Sequence, residues 1–165
     1  YASVESPHAL LQRFAIDRFN KQIVFDINLH SGILKHWLAD HVILDKIVLP
    51  GAAIIEIMSA AVSRGRGMLS RSAGGGGVMT LLPGTATRLE GLTIQRSVVV
   101  ENVLPGAGGR GDEAREMTRL WCVLQDDGAL FLYGEDEEGR RVVHASCSMV
   151  AATRGVSATV LDGGG

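Results

Sequence analysis

Apolar residues recur at alternate positions from Ile23 through Phe25 and Ile27 to Leu29, with Asp26 and Asn28 on the opposite face. That is the period of a half-buried strand. Residues 1–20 show no such period, and Pro7-His8-Ala9-Leu10-Leu11 reads as a loop followed by a short turn. Further on, the apolar triplets Val42-Ile43-Leu44 and Ile47-Val48-Leu49 flank Asp45-Lys46. They predict two short strands, or one bent strand, about a turn. Pro50-Gly51 stops that run. Ala52 to Val62 then contains only two polar residues, Glu56 and Ser59. This predicts a helix over 52–64, apolar all round and therefore buried, with Glu56 inside it.

The second half reads as strands. Leu89 to Val100 is one, with Gly91 a bulge or bend. Met117–Gln125 and Ala129–Tyr133 flank Asp126-Asp127-Gly128, a hairpin signal. Gly134 to Arg140 is a charged turn, and Arg141 to Ala152 is a last long strand. One long apolar helix among mostly antiparallel strands predicts an α+β architecture, a sheet wrapped on the helix. Residues 1–152 make a single domain, and 153–165 read as a linker-like tail.

Composition narrows the class. With 165 residues, 46% of them hydrophobic, the chain can bury a core and is not disordered. Its 16 Lys and Arg face 18 Asp and Glu, so it lacks the basic field of a nucleic-acid binder. No apolar run approaches the ~20 residues that span a bilayer. Cys122 and Cys147 show neither metal-ligand spacing nor a disulfide framework, which suggests a reducing, cytoplasmic setting. Tyr1-Ala2-Ser3-Val4-Glu5 lacks the features of a signal peptide and is expected to be an internal cut of a longer chain. The 21 glycines concentrate at Gly65–Gly77, Gly106–Gly111 and Gly163–Gly165, which suggests two loops and the tail. Gly74–Gly77 lacks the Lys-Ser/Thr of a phosphate loop.

Candidate chemistry converges on His36 to Val62. His41 follows Asp40 on the approach to a turn, and Asp40 is a candidate to orient its ring. Pro50-Gly51 opens the helix, where free backbone N–H groups can bind a developing oxyanion. His8, His30 and His36 have no constellation, and His144 fits a core or edge role. Glu135-Asp136-Glu137-Glu138 reads as a solvated hairpin tip. Arg64, Arg66 and Arg71 form a basic cluster on which an acidic partner could dock.

Trp37-Leu38-Ala39-Asp40-His41, followed by Pro50-Gly51, resembles the first half of the dehydratase domain of modular polyketide synthases, with its His-x-x-x-Gly-x-x-x-x-Pro motif. Pro7-His8-Ala9-Leu10-Leu11, Leu89-Glu90-Gly91-Leu92-Thr93-Ile94 and Val143-His144-Ala145 resemble further segments of that family. Asp45 stands where the motif has glycine, and Asp tolerates the left-handed turn better than most residues. The resemblance implies a hot-dog fold, the N-terminal half of a double hot dog. It implies dehydration of a β-hydroxyacyl thioester, held on the phosphopantetheine of an acyl carrier protein, with no redox cofactor or metal. His41 would take the α-proton, and the Gly51 N–H would polarise the thioester carbonyl. The acid would come from a second hot-dog half absent here. Neighbouring synthase domains and a homodimer are the implied partners.

Pro50-Gly51-Ala52-Ala53-Ile54-Ile55-Glu56 also matches the spacing of stand-alone hydroxyacyl-carrier-protein dehydratases, which would make Glu56 the acid. His41 lies one residue too far from Pro50 for that pattern, so a structural Glu56 is preferred. Other readings are a cyclase or isomerase using the same histidine, or a non-catalytic module for dimerisation or substrate holding.

Overall fold

In a computed structural model the chain is described at residues 4–5, 8–27, 29, 37–38, 40–69, 87–100, 119–136 and 138–151. Strands β1 (Val4–Glu5), β2 (Leu11–Asp17) and β3 (Gln22–Ile27) come first. A small hairpin follows, β4 (Val42–Ile43) and β5 (Lys46–Ile47). Helix α1 spans Gly51–Leu69. Strands β6 (Thr87–Ile94), β7 (Leu120–Gln125), β8 (Ala129–Glu135) and β9 (Arg141–Ala151) complete the chain. Seven strands form one sheet in the order β1-β2-β3-β7-β8-β9-β6, and β4-β5 stand apart as a second sheet. Among the described residues every strand pairing is antiparallel.

The register explains the core. Ile23, Phe25 and Ile27 of β3 stand opposite Leu124, Cys122 and Leu120 of β7. Leu124 and Cys122 stand opposite Leu130 and Leu132 of β8. All are buried, because side chains of paired residues share one face of the pleat. Against that face α1 lays Ala53, Ile54, Ile57, Met58 and Ala61, which recur at helical spacing. Fully burying one such aliphatic side chain is worth about 1.5–3 kcal/mol, so this contact is the main hold on the helix. The result is an α+β fold with a sheet wrapped on one helix.

Several expectations need correction. The first 20 residues, in which no period is read, contain strand β2, which starts at the last residue of the loop and turn expected over residues 7–11. Its alternation is hidden by a register shift between Leu11 and Arg13, where a bulge breaks the period. The helix runs past 64 to Leu69, through glycines assigned to a loop. Gly65 belongs there because a β-carbon would meet Leu124 Cδ2 at 2.5 Å. The absent side chain lets helix and sheet approach. Nor is the helix buried all round: Ile55 is 47% exposed, and Glu56 faces outward instead of inward.

Strand β6 ends at Ile94, short of Val100. Its bend falls at Gly91 (φ +64°), within a register shift between Glu90 and Thr93. The amides of Gln95 and Arg96 then both donate to the His144 carbonyl, at 2.8 and 3.2 Å. That turns the chain away from the sheet. The hairpin at Asp126-Asp127-Gly128 joins β7 to β8 as the sequence predicts, with Gly128 at φ +89°. Residues 74–77, 106–111 and 153–165, together with His30, His36 and Arg71, lie outside the described residues. Among the described residues, no helix is long and apolar enough to cross a membrane.

Candidate active site

The hairpin β4–β5 builds the first part of the site. Val42 pairs with Ile47 and Ile43 with Lys46, leaving Leu44 and Asp45 as a two-residue loop. Both have positive φ, 49° and 61°. Two left-handed residues match the twist of the flanking strands, the usual solution for so tight a hairpin. Asp45 therefore takes the left-handed geometry expected where the motif has glycine. Leu44 adopts it too, and is 91% exposed.

That turn brings Val48 back to His41. The Val48 N–H donates to the His41 carbonyl at 3.1 Å. The His41 ring Nδ1 lies 2.6 Å from the Val48 carbonyl oxygen. A carbonyl can only accept, so Nδ1 carries the hydrogen. In the neutral ring Nε2 then keeps its lone pair, the form a general base needs. The His41 N–H itself donates to the Leu38 carbonyl at 3.0 Å. Val48 is fixed in turn by a bridge to Val99. Its neighbours exchange hydrogen bonds with the same segment, Leu49 N–H to the Val98 carbonyl at 2.9 Å and Val100 N–H to the Ile47 carbonyl at 2.8 Å. Ile47 and Leu49 are buried. The ring is thus anchored through backbone to the core. Asp40 is exposed, and the hydrogen bond at Nδ1 goes to Val48.

Pro50 and Gly51 start α1. The Pro50 carbonyl accepts from Ala53 at 2.9 Å and Ile54 at 3.2 Å. The amides of Gly51 and Ala52 precede the first intrahelical donor, Ala53 N–H, and both residues are exposed. Amides at this end, with the helix dipole behind them, favour negative charge. A β-carbon on Gly51 would lie 3.5 Å from Ile94 Cδ1, an ordinary contact. The outer face of α1 also carries Glu56. Its Oε1 lies 3.5 Å from His8 Nε2, with the Glu56 side chain 62% exposed. His8 Nδ1 accepts from the Leu10 N–H at 3.2 Å. This His8–Glu56 pair was not legible in the sequence, because the two residues lie 48 positions apart and are brought together only by the fold.

The remaining groups are quieter. His144 is buried on β9, its Nδ1 3.4 Å from the Arg96 carbonyl oxygen. A β-carbon on Gly134 would stand 2.6 Å from its Nε2, so the ring is packed in on that side. Burial holds its pKa below the ordinary histidine value, outweighing backbone hydrogen bonds to Arg96 and Ser97. It is a core histidine whose burial favours the neutral ring. Burial also raises both thiols, Cys147 to about 11 and Cys122 higher still. Cys147 donates to Met58 Sδ at 3.8 Å. Neither thiol is activated as a nucleophile. Among the described residues, no group of three or more His, Cys, Asp or Glu side chains could hold a metal ion.

Comparison with known proteins gives the family and the fold. The family described as "Polyketide synthase dehydratase domain" matches residues 8–106, well over half of the chain. The chain belongs to that family. Among solved structures it is similar to the dehydratase domain from the terminal module of the rifamycin polyketide synthase, with 21% identity and a TM-score of 0.59. That match covers 94% of this chain and 47% of the other. It is similar also to a variant of the PpsC dehydratase domain from Mycobacterium tuberculosis, 22% identical with a TM-score of 0.59, over 90% of this chain and 45% of that one. A bifunctional dehydratase-cyclase domain from ambruticin biosynthesis matches at 20% identity and a TM-score of 0.55, over 91% and 45%. The fold is therefore the hot dog of these domains, and the chain spans a little under half their length. No curated protein sequence matches it.

Proposed function

We propose that this chain supplies the basic half of a dehydratase site, acting on a β-hydroxyacyl thioester carried by the phosphopantetheine of an acyl carrier protein. The observation that carries this reading is the 2.6 Å contact from His41 Nδ1 to the Val48 carbonyl, which leaves Nε2 as the base. Nε2 takes the α-proton. The electron pair of that C–H bond becomes the second bond between Cα and Cβ, and the Cβ–O bond breaks. The departing hydroxyl takes a proton from an acid and leaves as water. Meanwhile the thioester oxygen gains charge, which the Gly51 N–H at the start of α1 stabilises. The acid belongs to a second hot-dog half, and neighbouring synthase domains and a homodimer fit the same assembly. A structural role for Glu56 is preferred over that of the acid, supported by its outward carboxylate and its pairing with His8.

The test compares the chain alone with the chain extended to the length of its solved relatives, each given a β-hydroxyacyl carrier protein. The extended protein should form the enoyl thioester, and His41→Ala should lower its rate by about 10²–10⁴-fold. Turnover that survives His41→Ala overturns the mechanism. Turnover by the chain alone that is lost in Glu56→Gln would make Glu56 the acid.

A further inference from the structure

His144 is the extra residue of a bulge in β9. Leu132 of β8 pairs with Ala145 and Tyr133 with Val143, which leaves His144 outside that ladder. A bulge re-aims the groups it carries. Here the His144 carbonyl accepts from both Gln95 and Arg96, at 2.8 and 3.2 Å. The ring Nδ1 lies 3.4 Å from the Arg96 carbonyl oxygen, and a carbonyl only accepts, so Nδ1 is the donor. On the other side a β-carbon at Gly134 would stand 2.6 Å from Nε2, so the ring fills space that only glycine leaves. Among the described residues His144 is the one buried polar or charged side chain. Packing alone would be served by an apolar residue; the imidazole adds a hold on the bend at 95–97.

That bend leads directly to the site. Beyond it Val98 and Val100 are buried, Leu49 N–H donates to the Val98 carbonyl, and Val100 N–H donates to the Ile47 carbonyl. Val99 bridges to Val48 between them. The Val48 carbonyl in turn is the acceptor for His41 Nδ1. A hydrogen-bonded path of this kind can carry coupling between two positions.

Resting on the dehydratase reading for its catalytic meaning, we propose that His144 is a positioning residue for His41. It clamps the bend at 95–97, which fixes segment 98–100 and so aims the Val48 carbonyl at Nδ1. With the clamp released, the His41 ring takes up its other tautomer, with the hydrogen on Nε2 and no lone pair there to act as base.

The test reads the His41 tautomer in this chain by ¹⁵N NMR of the neutral ring. The wild type should show hydrogen on Nδ1. His144→Leu keeps the bulk and the backbone carbonyl but removes the ring donor, and should bring in the Nε2–H form. Gly134→Ala, which displaces the ring from outside, should do the same. His144→Asn keeps a donor and should retain the wild-type tautomer, as should Ile57→Ala, which weakens the core without touching the path. In the protein extended to the length of its solved relatives, His144→Leu should lower kcat by roughly 10–100-fold with KM unchanged, since the base is misaimed and binding is intact. An unchanged His41 tautomer in His144→Leu and Gly134→Ala overturns the proposal. So does an equal shift in Ile57→Ala, which would make the effect one of general destabilisation. A shift confined to His144→Leu and Gly134→Ala, with no turnover by the extended wild type, upholds the link between the two histidines and overturns the dehydratase reading.

Discussion

The His41 ring is held by a peptide carbonyl seven residues away. A neutral acceptor fixes the tautomer without adding a charge beside the ring. His144 shows the opposite use of the same residue type, buried and packed against Gly134. Its pKa is lowered mainly by burial. The unfolded chain therefore binds a proton more readily than the folded one between the lowered value and the ordinary one near 6.5. Stability should be complete above about pH 6.5 and should fall as the pH drops through that window. In His144→Asn, which keeps a donor for the Arg96 carbonyl, that part of the fall should vanish. Denaturant midpoints measured at successive pH values check this; a slope as steep in the variant would remove His144 as the cause.

At the scale of elements, the β4–β5 hairpin and the helix start place the site. The spacing from His41 to Val48 is set by a two-residue turn, and the sequence displayed it as two apolar triplets about Asp45-Lys46. The length of α1 was harder to read. Gly65 resembles a loop residue by composition, but its position is dictated by Leu124, Ile23 and Phe25 across the interface. Gly65→Ala gains about 1 kcal/mol of helix propensity. It also forces a methyl into the 2.5 Å approach to Leu124, and overpacking of this kind costs about 1–3 kcal/mol. The variant should have a lower thermal midpoint. In a Leu124→Ala background the same change should be stabilising, since the clash is gone and the propensity gain remains. Destabilisation of equal size in both backgrounds would show that the close approach is not the reason for Gly65.

For the whole molecule, among the described residues, the core lies between α1 and one face of the large sheet. Ile57 is fully buried at that contact. Ile57→Ala should cost about 2–5 kcal/mol, a large share of the roughly 5–15 kcal/mol that holds a domain folded. Chemical denaturation should show an early midpoint with an unchanged slope. A loss below about 1 kcal/mol would mean that the helix is held elsewhere.

The sequence by itself determined the α+β class, strand β3, the hairpin from β7 to β8, the bend at Gly91 and the His41–Pro50–Gly51 motif. Each is written in neighbouring residues, as a period of two, a turn signal or a fixed spacing. Only the tertiary structure decided the sheet order, the strand character of the bulged β2, the full reach of α1, and which face of it meets solvent. The His41 tautomer, the pairing of Glu56 with His8 and the hold of His144 on the bend at 95–97 were decided there too. Those features arise from contacts between segments distant in sequence, and periodicity along the chain reports which residues share a face, never what that face will meet.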